Sequence, residues 1–174
     1  MARLEPPPLS PIADQEPFWQ PIGRLVFAFG HLEKQIDWCI CALLNADGTR
    51  GTPSVASQIR NLCSRIALAE ALFRQLTTAG KRRAELHSII KELRALIKFR
   101  NGVLHGPWGA YLGDKGTWQK PRTNPIDLSP GFFEVTVEDI DEHVQRAAEM
   151  GNALLKLVQG AAEEAHAARV LHAP

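Results

Sequence analysis

The chain has 174 residues, is 45% hydrophobic and 22% charged, and carries a formal net charge of +1. That length suits one domain, or one domain with a tail, whose core needs neither metal nor disulfide to hold it together. The composition excludes collagen-like, disulfide-knotted and wholly disordered chains, and the near-neutral balance argues against a protein that coats nucleic acid indiscriminately.

Arg24, Glu33, Lys34 and Asp37 interrupt the most hydrophobic stretch, so no membrane span and no membrane partner are expected. The opening residues, which include Pro6, Pro7 and Pro8, lack the apolar run of an export signal, and a cytoplasmic location is expected. Cys39, Cys41 and Cys63 form no CxxC pair; the expectation is buried, reduced thiols, as a reducing compartment allows.

Residues 1–17 carry five prolines and few large apolar side chains, and read as a flexible leader to a domain spanning 18–172. From about Trp19 to Leu44, Ile22, Leu25, Val26, Phe29, Leu32, Ile36, Ile40 and Leu43 recur at threes and fours, which predicts an amphipathic helix. Thr52-Pro53 reads as an N-cap followed by proline at the first helical position, opening a second helix that runs to about Thr78. A third helix is predicted from about Lys81 to Leu104, ended by Gly106-Pro107. The helical period disappears over 107–134, which is expected to be a long loop or a small hairpin. Thr136-Val-Glu-Asp139 resembles a capping box and opens a last helix with Ile140, Val144, Ala147, Gly151, Leu154, Val158 and Ala161 on its inner side. The expected fold is all-α, a four-helix up-and-down bundle with an elaborated connection before the last helix.

No GxSxG elbow, glycine-rich phosphate loop or HExxH helix is present, and the six histidines do not cluster with carboxylates at metal-ligand spacing. No metal or other cofactor is expected. What stands out is Lys98-Phe-Arg100-Asn101-Gly-Val-Leu-His105-Gly-Pro-Trp108 at the end of the third helix. On a helix Asn101 and His105 lie one turn apart on one face, with Arg100 offset by one residue.

Arg100-Asn101-Gly-Val-Leu-His105 resembles the motif of the HEPN superfamily (higher eukaryotes and prokaryotes nucleotide-binding domains). Members are helical bundles, many of them metal-independent ribonucleases marked by an arginine, a polar neighbour that is very often asparagine, and a histidine shortly after. The resemblance implies a catalytic set of Arg100, Asn101 and His105. It also implies RNA or a nucleotide phosphate as ligand, a homodimer, and a protein antitoxin or nucleotidyltransferase partner in a toxin–antitoxin or defence setting. Toxin-type members often place an aromatic two residues beyond the histidine, where this chain has Pro107 with Trp108 next. The same bare spacing recurs at Arg24…His31 and Arg82…His87, but Leu25 follows the first arginine and the second pair opens its helix.

The third helix bears seven basic residues, Lys81, Arg82, Arg83, Lys91, Arg94, Lys98 and Arg100, against Glu85 and Glu92, while the last helix is acidic. This either attracts a phosphodiester or is a solvated face paired with the acidic helix. Trp108, Tyr111 and Trp118 either stack on bases or pin the loop. Glu70 falls on the apolar stripe of the second helix, where a carboxylate either reaches the rim or meets a cation such as Arg100. Lys98, Glu70 and Trp108 are therefore auxiliary candidates. The competing readings are a ribonuclease, a non-catalytic helical module binding nucleotide, RNA or a partner protein, and a purely structural bundle.

Overall fold

The computed structural model describes residues 16–46, 58–78, 80–105 and 135–171. Among them the secondary structure is entirely helical: α1 Glu16–Ala46, α2 Leu62–Leu76, α3 Gly80–His105 and α4 Val137–Leu171. Among the described residues the architecture is an all-α four-helix bundle. The expected loop or hairpin over 107–134, the leader up to residue 15 and the Thr52-Pro53 cap lie outside the described residues.

Helix α1 begins earlier than the hydrophobic period suggests and carries Pro21 inside it. Pro21 is the sixth residue of the helix, beyond the first four donors that have no intrahelical acceptor, so it leaves the carbonyl of residue 17 without its ladder donor. The second helix departs from expectation. Residues 58–61 are not helical, and α2 starts at Leu62, where the Asn61 side chain accepts from the Cys63 backbone N–H at 2.8 Å. An asparagine that satisfies a first-turn donor competes effectively with continued helix and sets the start there. For α4 the expected capping box is present. The Thr136 N–H donates to Asp139 Oδ2 at 2.8 Å, and the Asp139 N–H donates back to Thr136 Oγ1 at 3.1 Å.

The chain divides into two compact units, Met1–Phe27 with Ile97–Gln145, and Ala28–Leu96 with Arg146–Pro174. In the first, Phe18, Leu25, Ile97, Val103, Val135 and Ile140 are buried. The bidentate pair of Arg24 with Asp141, whose shortest bond is 2.7 Å, ties α1 to α4 there. In the second, Phe29, Leu32, Ile36, Ile40, Ile66, Phe73, Leu93, Leu154 and Val158 are buried. Gly151 on α4 is also buried, and a Cβ there would meet Gln35 Oε1 at 2.0 Å and Leu32 Cδ1 at 3.1 Å, so α1 approaches through the space its missing side chain leaves.

Three sequence expectations about burial need correction. Val26, placed on the inner stripe of α1, is 48% exposed, because the stripe through Leu25 and Phe29 leaves it about 100° to one side. Cys63 is exposed, whereas Cys39 and Cys41 are buried as expected. Asp37, read only as a break in hydrophobicity, is buried and paired with Arg65 at 3.2 Å, and Arg65 also donates to the Ile59 carbonyl at 2.6 Å.

Candidate functional site

Helix α3 places Arg100 in an unusual position. Leu93, Leu96, Ile97 and Val103 are its buried stripe, and Arg100 follows Leu93, Leu96 and Ile97 at helical spacings of seven, four and three. The arginine therefore leaves the helix on its inner face, not on the outer face with Asn101 and His105. It is half-buried, and its Nε is a buried donor with no hydrogen-bond partner among the described residues. The guanidinium bends back so that one Nη donates to Asn101 Oδ1 at 3.0 Å. An orphaned donor of this kind costs about 1–3 kcal/mol. Such a donor calls for an acceptor, which a bound water or an anionic ligand can supply.

The structure brings Arg100 and Asn101 together, but it does not join His105 to them by a hydrogen bond. His105 is the last residue of α3, is exposed, and makes no hydrogen bond among the described residues, to the last-turn carbonyls or to any other group. By helical geometry it shares the exposed face of Asn101, one turn further on. The guanidinium that reaches Asn101 is thus directed round toward the face that presents the imidazole. Lys98 is exposed, and Trp108 lies outside the described residues.

Glu70 turns to other cations than the one considered for it. It accepts from Arg74 at 2.7 Å and from Arg94 at 3.3 Å, and its side chain is 17% exposed. A carboxylate already satisfied by two guanidiniums within its own unit is a structural link between α2 and α3, not a member of the site.

The other two Arg…His spacings have ordinary structural roles. Arg24 is held by both oxygens of Asp141, and Arg82 is held by Glu164. Of the three arginines that the bare spacing selects, Arg100 is the one that meets no carboxylate among the described residues. Part of the basic charge on α3 is likewise taken up. Arg82 pairs with α4, Arg94 with α2, and Arg83 donates to the carbonyls of Thr77 and Arg74 at 2.7 and 2.8 Å. Lys81, Lys91 and Lys98 remain exposed.

Two features were not anticipated from the sequence. His143 of α4 stacks on Phe99 with ring centroids 3.5 Å apart and planes inclined by 13°, and its Nδ1–H donates to the Asp139 carbonyl at 2.6 Å. The stack anchors the residue next to Arg100 against α4. Nothing in the local pattern around Phe99 or His143 announces it, since the partners lie on different helices. A groove of about 640 Å³ on the second unit is lined by Arg82, Lys156, Glu85, Glu149 and Asn152 among others. Its charges balance, Arg82 is bound to Glu164, and none of residues 98–105 lines it. It therefore has no claim on an anion.

Among the described residues no group of histidine, cysteine and acidic side chains is arranged to hold a metal ion. No described helix is long and apolar enough to cross a membrane. No family model, no curated protein and no solved structure matches the chain.

Proposed function

We propose that the end of α3 is an anion-accepting site for RNA and that the protein is a HEPN-type endoribonuclease that needs no metal. The observation that carries this reading is the contrast among the three arginines. Two are satisfied by carboxylates, and among the described residues Arg100 alone of the three has an orphaned Nε and meets no carboxylate. A planar fork donor of that kind suits a phosphate, which offers two acceptor oxygens.

With RNA bound, Arg100 holds the non-bridging oxygens of the scissile phosphate and stabilises the charge that builds on them. Asn101 sets the rotamer of the guanidinium through the observed hydrogen bond. His105, exposed and free of competing hydrogen bonds, takes the proton of the ribose 2′-hydroxyl as its oxygen attacks phosphorus. The bond to the 5′-oxygen breaks, that oxygen takes a proton from water, and the products carry a 2′,3′-cyclic phosphate and a 5′-hydroxyl. An imidazole suits the task because its ordinary pKa lies near neutrality. The resemblance further suggests that the enzyme works as a homodimer and answers to an antitoxin or nucleotidyltransferase partner.

One observation favours a second reading. Among the described residues no carboxylate or carbonyl orients His105, whereas proton-transferring histidines are commonly held by such a group. That arrangement suits a module that binds nucleotide or RNA phosphate without cleaving it. Incubation with unstructured RNA in EDTA separates the two. Cleavage leaving cyclic phosphate ends, lost in Arg100→Ala and His105→Ala proteins that remain folded, selects the enzyme. Intact RNA with Arg100-dependent binding selects the module, and neither cleavage nor binding rejects the site.

A further inference from the structure

Cleavage at the end of α3 needs two proton transfers, one from the ribose 2′-hydroxyl and one to the departing 5′-oxygen. His105 serves the first, with water left to supply the second. A second imidazole stands in the same compact unit, since Phe99, Arg100, Asn101, His105 and His143 all fall within Ile97–Gln145. His143 is half-buried and held at two points. Its ring lies on Phe99 with centroids 3.5 Å apart and planes inclined by 13°, and its Nδ1–H donates to the Asp139 carbonyl at 2.6 Å. A carbonyl oxygen only accepts, so Nδ1 keeps its proton and Nε2 is the nitrogen that gains and loses one. Nε2 has no hydrogen-bond partner among the described residues. His143 thus has the fixed tautomer and ring plane that His105 lacks.

Its side of the helix matters as much. Successive residues leave an α-helix about 100° apart, so Phe99 and Asn101 depart on opposite flanks of Arg100. From α4, His143 reaches the Phe99 flank, while Asn101 and His105 share the other. Asn101 occupies one Nη of the guanidinium, and the Nε stays open. A phosphate gripped by the remaining donors then has an imidazole on each flank. In-line displacement calls for that arrangement, because the attacking 2′-oxygen and the departing 5′-oxygen lie on opposite sides of phosphorus. A base and an acid on one flank could not serve both.

We infer that His143 is the general acid of the cleavage, an assignment that rests on the ribonuclease reading of the Arg100 site. As the 2′-oxygen bonds to phosphorus, His105 takes its proton. The bond from phosphorus to the 5′-oxygen breaks, and that oxygen keeps the electron pair and takes the proton from Nε2 of the His143 imidazolium. His105 ends protonated and His143 neutral, and exchange with water resets both. The Phe99 stack and the Asp139 carbonyl hold the donor in place through the step.

Single-turnover cleavage of two short RNAs by the full chain tests this, one all-oxygen and one with sulfur in place of the scissile 5′-oxygen. A thiolate departs without an acid, because a thiol is far more acidic than an alcohol. His143→Phe keeps an aromatic ring for Phe99 to stack on and removes the proton. It is expected to cleave the all-oxygen RNA at least about 100-fold more slowly than the wild type and to regain at least about tenfold of that loss on the sulfur substrate. His143→Gln is a second variant with the same expected split, and circular dichroism establishes that each is folded. His105→Ala is expected to be slow on both substrates, since attack still needs a base. Equal losses on the two RNAs in the folded His143 variants, or no loss at all, overturn the assignment while the ribonuclease reading stands. A wild type that cleaves neither RNA overturns that reading and the assignment together.

Discussion

Arg100 occupies a position where a leucine or methionine would serve the fold better. Its neighbours along the buried stripe of α3 are Leu93, Leu96, Ile97 and Val103, and its Nε lacks an acceptor among the described residues. Arg100→Met is therefore expected to leave stability unchanged or to raise it by about 1 kcal/mol, because it removes a buried unsatisfied donor and keeps the packing of the stem. Urea unfolding measures this. A loss of more than about 1 kcal/mol would mean that the guanidinium has a structural partner after all. The same variant is expected to lose RNA binding, which separates function from folding at a single residue. The cysteines give a second test. Burial pushes the Cys39 thiol up to about 12, and burial with the Asp37 carboxylate beside it pushes Cys41 up as well. In the native protein at mildly alkaline pH, one thiol, the exposed Cys63, is expected to react with a thiol reagent at an ordinary rate. A raised folded-state pKa leaves the stabilising neutral form intact below the unfolded thiol value near 9.0. Stability is then expected to decline as pH rises from that value toward about 12, and unfolding midpoints across that window measure the decline.

At the scale of the element, helix ends matter more than helix interiors. The apolar period of α1, α3 and α4 is visible in the chain because each helix buries one face and exposes the other. The start of α2 is less visible. Asn61 is one of several acceptable first-turn signals in this stretch, and local propensity does not rank them. Asn61 opens α2 because the segment 58–61 is committed elsewhere, with the Ile59 carbonyl accepting from Arg65. The α4 start, by contrast, is encoded within four residues, since both partners of the capping box lie in Thr136–Asp139. Thr136→Ala is expected to lower stability by roughly 1 kcal/mol, with proton exchange in the first turn of α4 accelerated more than in its middle. Equal acceleration along the whole helix would show that the cap carries no local weight.

For the whole molecule, the relevant quantity is the near balance of positive and negative charge. The chain carries 20 lysines and arginines against 19 acidic residues, and Arg24, Arg65, Arg74, Arg82, Arg94 and Arg146 are all engaged by carboxylates. RNA affinity is therefore expected to depend only moderately on salt. For one or two phosphate contacts on a single strand, log Kd against log salt has a slope of roughly 0.7 to 1.4. Fluorescence anisotropy with a short single-stranded RNA measures it. A slope several times steeper would mean that a broad basic surface, and not the end of α3, binds the ligand.

The helical class, three of the four helices and the six-residue stretch Arg100–His105 were legible in the chain, because periodicity, caps and breaks act over a few residues. Which carboxylates neutralise the other two arginines was not. The bare spacing selects three, and the two that are neutralised find Asp141 and Glu164 more than seventy positions away, pairings that exist only once α1, α3 and α4 are packed. The tertiary structure also half-buried Arg100 beside the inner stripe of α3, left Val26 outside, and gave Glu70 to Arg74 and Arg94. Local order is written in neighbouring residues. The satisfaction or frustration of a charge is decided by what folding brings beside it.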